Sequence, residues 1–182
     1  MMGKGRLIAV VGPSGVGKDS VMEALCAACP GLLRVRRVIT RAPGAGGEDC
    51  EAVSVEAFEV RRAAGAFCLH WEAHGLRYGI PQDTLKQVQA GQDRLANLSR
   101  AVLPEAQAVF PRLTVLHLTA RPETLAARLS ARNRETPEEI ARRLARPPFA
   151  LPEGVPVVTV SNDGPLPETV ARALQALQPV RG

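Results

Sequence analysis

Between residues 12 and 20 the chain reads Gly12-Pro13-Ser14-Gly15-Val16-Gly17-Lys18-Asp19-Ser20. Three glycines and a lysine at this spacing form a phosphate-binding loop. Glycines at 12, 15 and 17 let peptide N–H groups turn inward around phosphate oxygens, where a Cβ would obstruct the turn. A helix starting near Gly17 adds unpaired N–H groups and the positive end of its dipole. Lys18 supplies a mobile point charge for a transferring phosphate. The motif ordinarily follows its lysine with Ser or Thr, whose hydroxyl meets Mg²⁺, but Asp19 stands there, with Ser20 behind it. A carboxylate is a hard ligand for Mg²⁺ and is favoured at a helix N-terminus. Asp19 is therefore read as a metal-side residue, with Ser20 as the alternative, and residues 12 to 20 as a nucleotide-binding loop.

A second set of charges lies far downstream. Arg132 and Arg134 flank Asn133 between two helical stretches, and Arg143 follows on the second. Arginines at a helix junction can swing over a phosphate and back, as a lid does. A third set, Arg34, Arg36, Arg37 and Arg41, studs an apolar run after the first helix. The histidines are less informative. His117 sits in an apolar strand and reads as a core residue. His70 and His74 are too far apart along one strand face to chelate a metal.

Periodicity gives the elements that must position these groups. Arg6 to Val11 is an apolar strand leading into the loop, and the helical pattern resumes at Val21, Met22 and Leu25. Leu33 to Thr40 reads as a second strand, 42–49 as a Gly/Pro loop, and Ala52-Val53-Ser54 as a short strand. Ser54 and Glu56 open a small helix ending near Gly65. Phe67 to Trp71 is strand-like, His74 to Ile80 is a turn into another strand, and Pro81 takes the first position of the next helix. Core strands follow at Arg94–Leu98, Leu113–Leu118 and Val155–Val160. Helices are expected over about Leu103–Phe110, Pro122–Arg132, Thr136–Arg146, and through Val170, Leu174 and Leu177. Strands alternating with helices imply an α/β fold, a parallel sheet covered by helices on both faces, with ligands at the strands' C-terminal edge. The expected organisation is a single domain over 1–182. It has a core of about 1–33 and 81–182, an insert over about 34–80 and a lid over about 130–146.

Composition narrows the function. The net charge is +5, and all but Lys4, Lys18 and Lys86 of the 23 basic residues are arginines. They are scattered, and aromatics make up 3% of the chain, too few to stack on bases. Small anionic substrates account for the charge, and nucleic acid is not expected as a partner. The apolar runs are too short for a membrane span, so a cytoplasmic protein is expected. Cys26-x-x-Cys29 lacks a second close pair in Cys50 and Cys68, so buried thiols are expected, with neither zinc nor disulfides.

Over nearly its whole length the chain resembles the guanylate-kinase group of nucleoside-monophosphate kinases, P-loop enzymes with a small acceptor-binding insert. The resemblance rests on Gly12-Pro13-Ser14-Gly15-x-Gly17-Lys18, Thr40-Arg41-x-Pro43 with Gly47-Glu48, and Gly65-x-Phe67 followed by His74-Gly75-x-x-Tyr78-Gly79. Arg132-x-Arg134 with Ile140-x-x-Arg143-Leu144 resembles the lid, and Asn162-Asp163 the adenine-side loop. Two departures fall on the base-reading positions. Leu69 stands where guanylate kinases carry a Glu, and Asn97 where they carry an Asp. Within this group, the ribose 1,5-bisphosphate phosphokinase family shares both departures and the Asp after the loop lysine. It is also similar at Ile39-Thr40-Arg41, Gly46-Gly47-Glu48, Trp71, Asn97-x-Ser99-Arg100 and Asn162-Asp163-Gly164.

That resemblance implies ATP as phosphoryl donor, Mg²⁺ as cofactor and a sugar bisphosphate as acceptor. It implies that Lys18, Arg132, Arg134 and Arg143 serve the transferring group and that Asn162 lies on the nucleotide side. Arg37, Thr40, Arg41, Glu48, His74, Tyr78, Asn97 and Arg100 would hold the acceptor. A guanylate kinase with relaxed base recognition, or a non-catalytic scaffold of the same fold, are the alternative readings.

Overall fold

The structure is a computed structural model and describes residues 5–13, 16–41, 50–73, 75–110, 112–131, 136, 138 and 153–177. The strand ahead of the glycine loop, β1 (Leu7–Val11), is buried at every residue and lies in the middle of a five-stranded sheet. A strand covered on both faces must be apolar throughout, which is why this one reads as an unbroken apolar run. The sheet order is β2 (Leu33–Arg34), β7 (Arg94–Asn97), β1, β8 (Leu113–Thr119) and β9 (Val157–Ser161), and every pairing is parallel.

Alternate residues of β1 face opposite layers. Leu7, Ala9 and Val11 join a cluster containing Val88 of α3 (Gln82–Gln89) and Leu103 and Ala106 of α4 (Leu103–Val109). Ile8 and Val10 face Val21, Met22 and Leu25 of α1 (Lys18–Ala28), Leu125 of α5 (Pro122–Ala131), and Val170, Ala173 and Leu177 of α6 (Leu166–Leu177). Each fully buried aliphatic side chain in these layers stabilises the fold by about 1.5–3 kcal/mol.

A second sheet carries the insert, in the order β4 (Glu51–Ala52), β3 (Val38–Ile39), β6 (Leu76–Pro81) and β5 (Phe67–Ala73). Strands β3 and β4 run parallel, and β6 is antiparallel to β3 and β5. Helix α2 (Val55–Ala63) is capped by the Ser54 hydroxyl, which accepts from the Ala57 N–H, and its Phe58 stacks on Phe67 with centroids 4.7 Å apart. Leu69 and Ile80 of this sheet belong to the same buried cluster as β1, so insert and core share one apolar layer.

Three expectations shift. The single strand expected over 33–40 is two strands in two sheets. After Arg34 the Val35 N–H still bonds the Leu95 carbonyl at 2.8 Å, and by Val38 the chain is paired with Gly79. The alternation of Leu33-Arg34-Val35 breaks at Arg36-Arg37 and Val38-Ile39, a local trace of the crossing that does not say which sheet the chain joins next. Pro81 ends β6 and caps α3 instead of opening it, with φ −59° and ψ 145°. Helix α4 is preceded by a turn of 3₁₀ helix at Arg100–Val102. The expected lid lies outside the described residues beyond Ala131, apart from Thr136 and Glu138.

Candidate active site

The site is built where β1 gives way to α1. Gly12 sits so close to the end of β8 that a Cβ would come within 2.8 Å of the Leu118 carbonyl oxygen. The Val16 N–H bonds the Pro13 carbonyl at 3.2 Å, closing a turn, and Val16 is fully buried. Gly17 then caps α1 with φ 94°, and its carbonyl accepts the first helical bond, from the Val21 N–H. That left-handed backbone suits glycine. A Cβ there would also meet the Asn162 Nδ2 at 2.8 Å. The Lys18 ammonium reaches back across the loop and donates to the Gly12 carbonyl at 2.8 Å. Ser14 and Gly15 lie outside the described residues.

Asp19 and Ser20 occupy the exposed first turn of α1. The Asp19 carboxylate accepts from the Arg34 guanidinium at 2.5 Å, so the end of β2 is clasped to the start of the loop helix. The residues lie 15 apart in sequence, and no local pattern announced the pair. An exposed carboxylate beside a phosphate-binding loop fits Mg²⁺, which keeps most of its waters and takes one or two carboxylates together with phosphate oxygens. Among the described residues no group of three or more His, Cys, Asp or Glu gathers to hold a metal by itself.

Asn162 follows β9, where sequence reading put it on the nucleotide side. Its side chain is spent inside the protein. Its Nδ2 donates to the Val16 carbonyl at 2.7 Å, its Oδ1 accepts from the Thr169 hydroxyl at 2.6 Å, and the residue is 6% exposed. The neighbouring Asp163 accepts from the Arg121 backbone N–H and from the Ser161 hydroxyl, each at 2.8 Å. Those bonds, with one from Thr124, bring its carboxyl down to about 2. It is an anchor for the loop's shape.

Several residues expected from the resemblance to hold the acceptor lie beside this loop because of sheet register. Asn97 is the Cα partner of Val10, and His117 the partner of Val11, so the ends of β7 and β8 flank the start of the loop. Arg37, 7% exposed, donates to the Asn97 carbonyl at 3.2 Å and lies 5.0 Å over the Tyr78 ring. Tyr78 in turn stacks on Trp71, with ring centroids 5.3 Å apart and planes 5° from parallel. Arginine, tyrosine and tryptophan thus make one layered block between insert and core. A guanidinium lying on a ring face in this way is held in orientation by cation–π attraction, worth roughly 0.5–2 kcal/mol.

Thr40 uses its hydroxyl to accept from the Arg77 N–H at 2.8 Å and its own N–H to bond the Arg77 carbonyl at 3.0 Å. Arg41 ends the described segment, and Arg100 stands in the turn after β7. Burial first, and then the Arg100 charge, push the His117 pKa down. The structure therefore brings Arg37, Thr40, Tyr78, Asn97 and Arg100 to the edge that also carries Lys18. Glu48, His74, Arg132, Arg134 and Arg143 lie outside the described residues. The cysteines are free thiols, and burial pushes Cys68 to about 11 and Cys26 upward, as inert packed thiols require.

No protein-family model matches the chain. In sequence it is 54% identical over 179 residues to the ribose 1,5-bisphosphate phosphokinase PhnN of Ruegeria sp. (strain TM1040), covering 98% of this chain and 94% of that protein. It is 43% identical over 179 residues to the protein of the same name from Agrobacterium fabrum, covering 97% and 98% of the two chains. Among solved structures, guanylate kinase from Anaplasma phagocytophilum superposes with a TM-score of 0.64 at 21% identity, over 96% of this chain and 85% of that one. The structural likeness speaks for the fold.

The loop geometry makes Gly17→Ala a sharp test. The substitution forces a Cβ into a left-handed residue and against the Asn162 amide, at a cost of about 1–3 kcal/mol. Urea unfolding should show that loss. A variant as stable as the parent would mean that the loop relaxes freely around residue 17.

Proposed function

The chain belongs to the ribose 1,5-bisphosphate phosphokinase family, and from that premise we propose that it transfers the γ-phosphoryl group of ATP to the 1-phosphate of ribose 1,5-bisphosphate. The products are 5-phosphoribosyl 1-diphosphate and ADP. The observation that carries this reading is 54% identity along 98% of the chain to a relative of that name.

The residues suit the chemistry. The nucleophile is an oxygen of the acceptor's 1-phosphate, whose second pKa of about 6 leaves it largely deprotonated at neutral pH. It attacks the γ-phosphorus, and the bond to the β–γ bridging oxygen breaks with its electron pair leaving on ADP. No side chain has a proton to remove. The protein's task is to hold two strongly anionic reactants in line and to offset their charge. Lys18, Arg132, Arg134 and Arg143 serve the transferring group in this reading. Arg37, Thr40, Arg41, Tyr78 and Arg100 hold the acceptor, with Glu48, His74 and Asn97 around it. Mg²⁺ would be held on the Asp19 side, with Ser20 beside it, and would supply neutralisation of the donor phosphates. The use of ATP supports reading the enzyme as cytoplasmic. Among the described residues no helix is long and apolar enough to cross a membrane.

The acceptor follows from what the insert has packed away. Leu69, at the position resembling the guanine-reading Glu, is 2% exposed and sits in the apolar layer with Ile80. A guanine edge would find no carboxylate there. Ribose 1,5-bisphosphate has no base to recognise and gains from every arginine near its second phosphate.

Four outcomes test the reading. Phosphorus NMR of the product from ATP and ribose 1,5-bisphosphate should show a new diphosphate, and kcat/KM for this acceptor should exceed that for GMP by about 10⁴-fold or more. An equal or higher value for GMP would restore a guanylate kinase. Lys18→Ala should stay folded and lose nearly all turnover, since the side chain serves the loop and not the core; near-normal rates would remove the loop as donor site. Asp19→Ala should move the Mg²⁺ titration of activity upward by about tenfold or more, with Ser or Thr at 19 restoring part of it. An unchanged titration would give the metal contact to Ser20.

A further inference from the structure

Arg128, on helix α5, had no place in the site read from sequence. One arm of its guanidinium donates to the Val16 carbonyl at 3.1 Å and the other to the Asn162 carbonyl at 2.7 Å. The Asn162 Nδ2 donates to the same Val16 oxygen at 2.7 Å. Thr169 on α6 fixes the Asn162 amide from behind, donating to Oδ1 at 2.6 Å, and the Asn162 N–H bonds the Thr119 carbonyl at the end of β8 at 2.7 Å. Val16 is fully buried, and Thr169 and Asn162 are 1% and 6% exposed. The Val16 carbonyl, with two lone pairs, thus accepts two donors from two different elements.

The consequence falls on the loop. The peptide between Val16 and Gly17 is planar and trans, so its carbonyl and its N–H point in opposite directions. An oxygen anchored toward Arg128 and Asn162 leaves the Gly17 N–H directed away from them. We infer that Arg128 is a positioning residue for the phosphate donor: through the Val16 carbonyl, together with Asn162, it aims the Gly17 N–H at a nucleotide phosphate and fixes α5 to the loop. This rests on the reading of residues 12 to 20 as the donor site. The residue type matters, because a guanidinium spans two carbonyls in one plane, whereas an ammonium is a single point.

Isothermal titration with ADP and Mg²⁺ tests the inference on the full chain, beside steady-state kinetics and melting curves. Arg128→Lys keeps the charge and loses the fork. It should weaken ADP by about tenfold or more, raise the ATP KM by a similar factor and leave the acceptor KM unchanged. Thr169→Val, which frees the Asn162 amide without touching the loop, should shift ADP affinity in the same direction by less. Folded Arg128→Lys with parental ADP affinity, or with equal rises in both KM values, overturns the positioning role. Parent protein that fails to bind ADP overturns the donor-site reading itself, and the role of Arg128 with it.

Discussion

A loop that turns its backbone N–H groups toward an anion must turn carbonyl oxygens toward the protein, and each buried one needs a donor. At Val16 the protein meets this demand twice over, with Asn162 and Arg128 converging on one oxygen. Much of the molecule can be understood from that demand. The donors come from the end of β9 and from α5, and Thr169 of α6 holds the first of them. The loop helix is thus bound to the elements beyond β8 by polar bonds as well as by the apolar layer beneath. Gly17 is squeezed by the same arrangement, since the Asn162 amide occupies the space a side chain would take. An unsatisfied carbonyl in this position would cost roughly 1–3 kcal/mol, enough to let the loop sample other shapes.

The acceptor side solves a different problem. The chain must leave the main sheet after β2 and build a second sheet close enough to share the catalytic edge. It does so by pairing Val35 with the main sheet and Val38 with the insert, leaving Arg37 buried between them. A buried guanidinium is tolerable only when its donors and its flat faces are occupied. The Asn97 carbonyl takes one N–H, and the Tyr78 ring, backed by Trp71, covers a face. The block that makes Arg37 affordable also joins β5 and β6 to the core, so anchoring the charge and docking the insert are one event.

Much of this was legible in the sequence. The glycine loop, the lysine and the alternation of core strands with helices carry short-range signals, in turn chemistry or periodicity, whereas Thr40, Tyr78 and Asn97 were named only by the family resemblance. What escaped was long-range. Arg128 sits one helical turn before Arg132 and was given no role from sequence, because its carbonyl partners lie 112 and 34 residues away. The family resemblance put Asn162 on the nucleotide side, and nothing local said that its amide also reaches Val16 and Thr169. The Asp19–Arg34 pair shares that cause, and although the alternation breaks at Arg36-Arg37, nothing local says that the chain joins another sheet there.

The arginines in the structure differ in the groups that anchor them. On the surface Arg61 pairs with Glu51, Arg62 and Arg77 with Glu59, and Arg172 with Glu168. Such pairs are worth about 0–1 kcal/mol, and each cancels its own field. Near the site, Arg37 and Arg128 are held through backbone carbonyls. A carbonyl holds a guanidinium in one orientation, so these side chains are placed before either substrate arrives. Arg34 is the exception, clasped to a carboxylate at the loop itself. The Mg²⁺ proposed for the Asp19 side would meet a carboxylate already oriented by this guanidinium, so the contact that joins β2 to α1 also orders a candidate ligand.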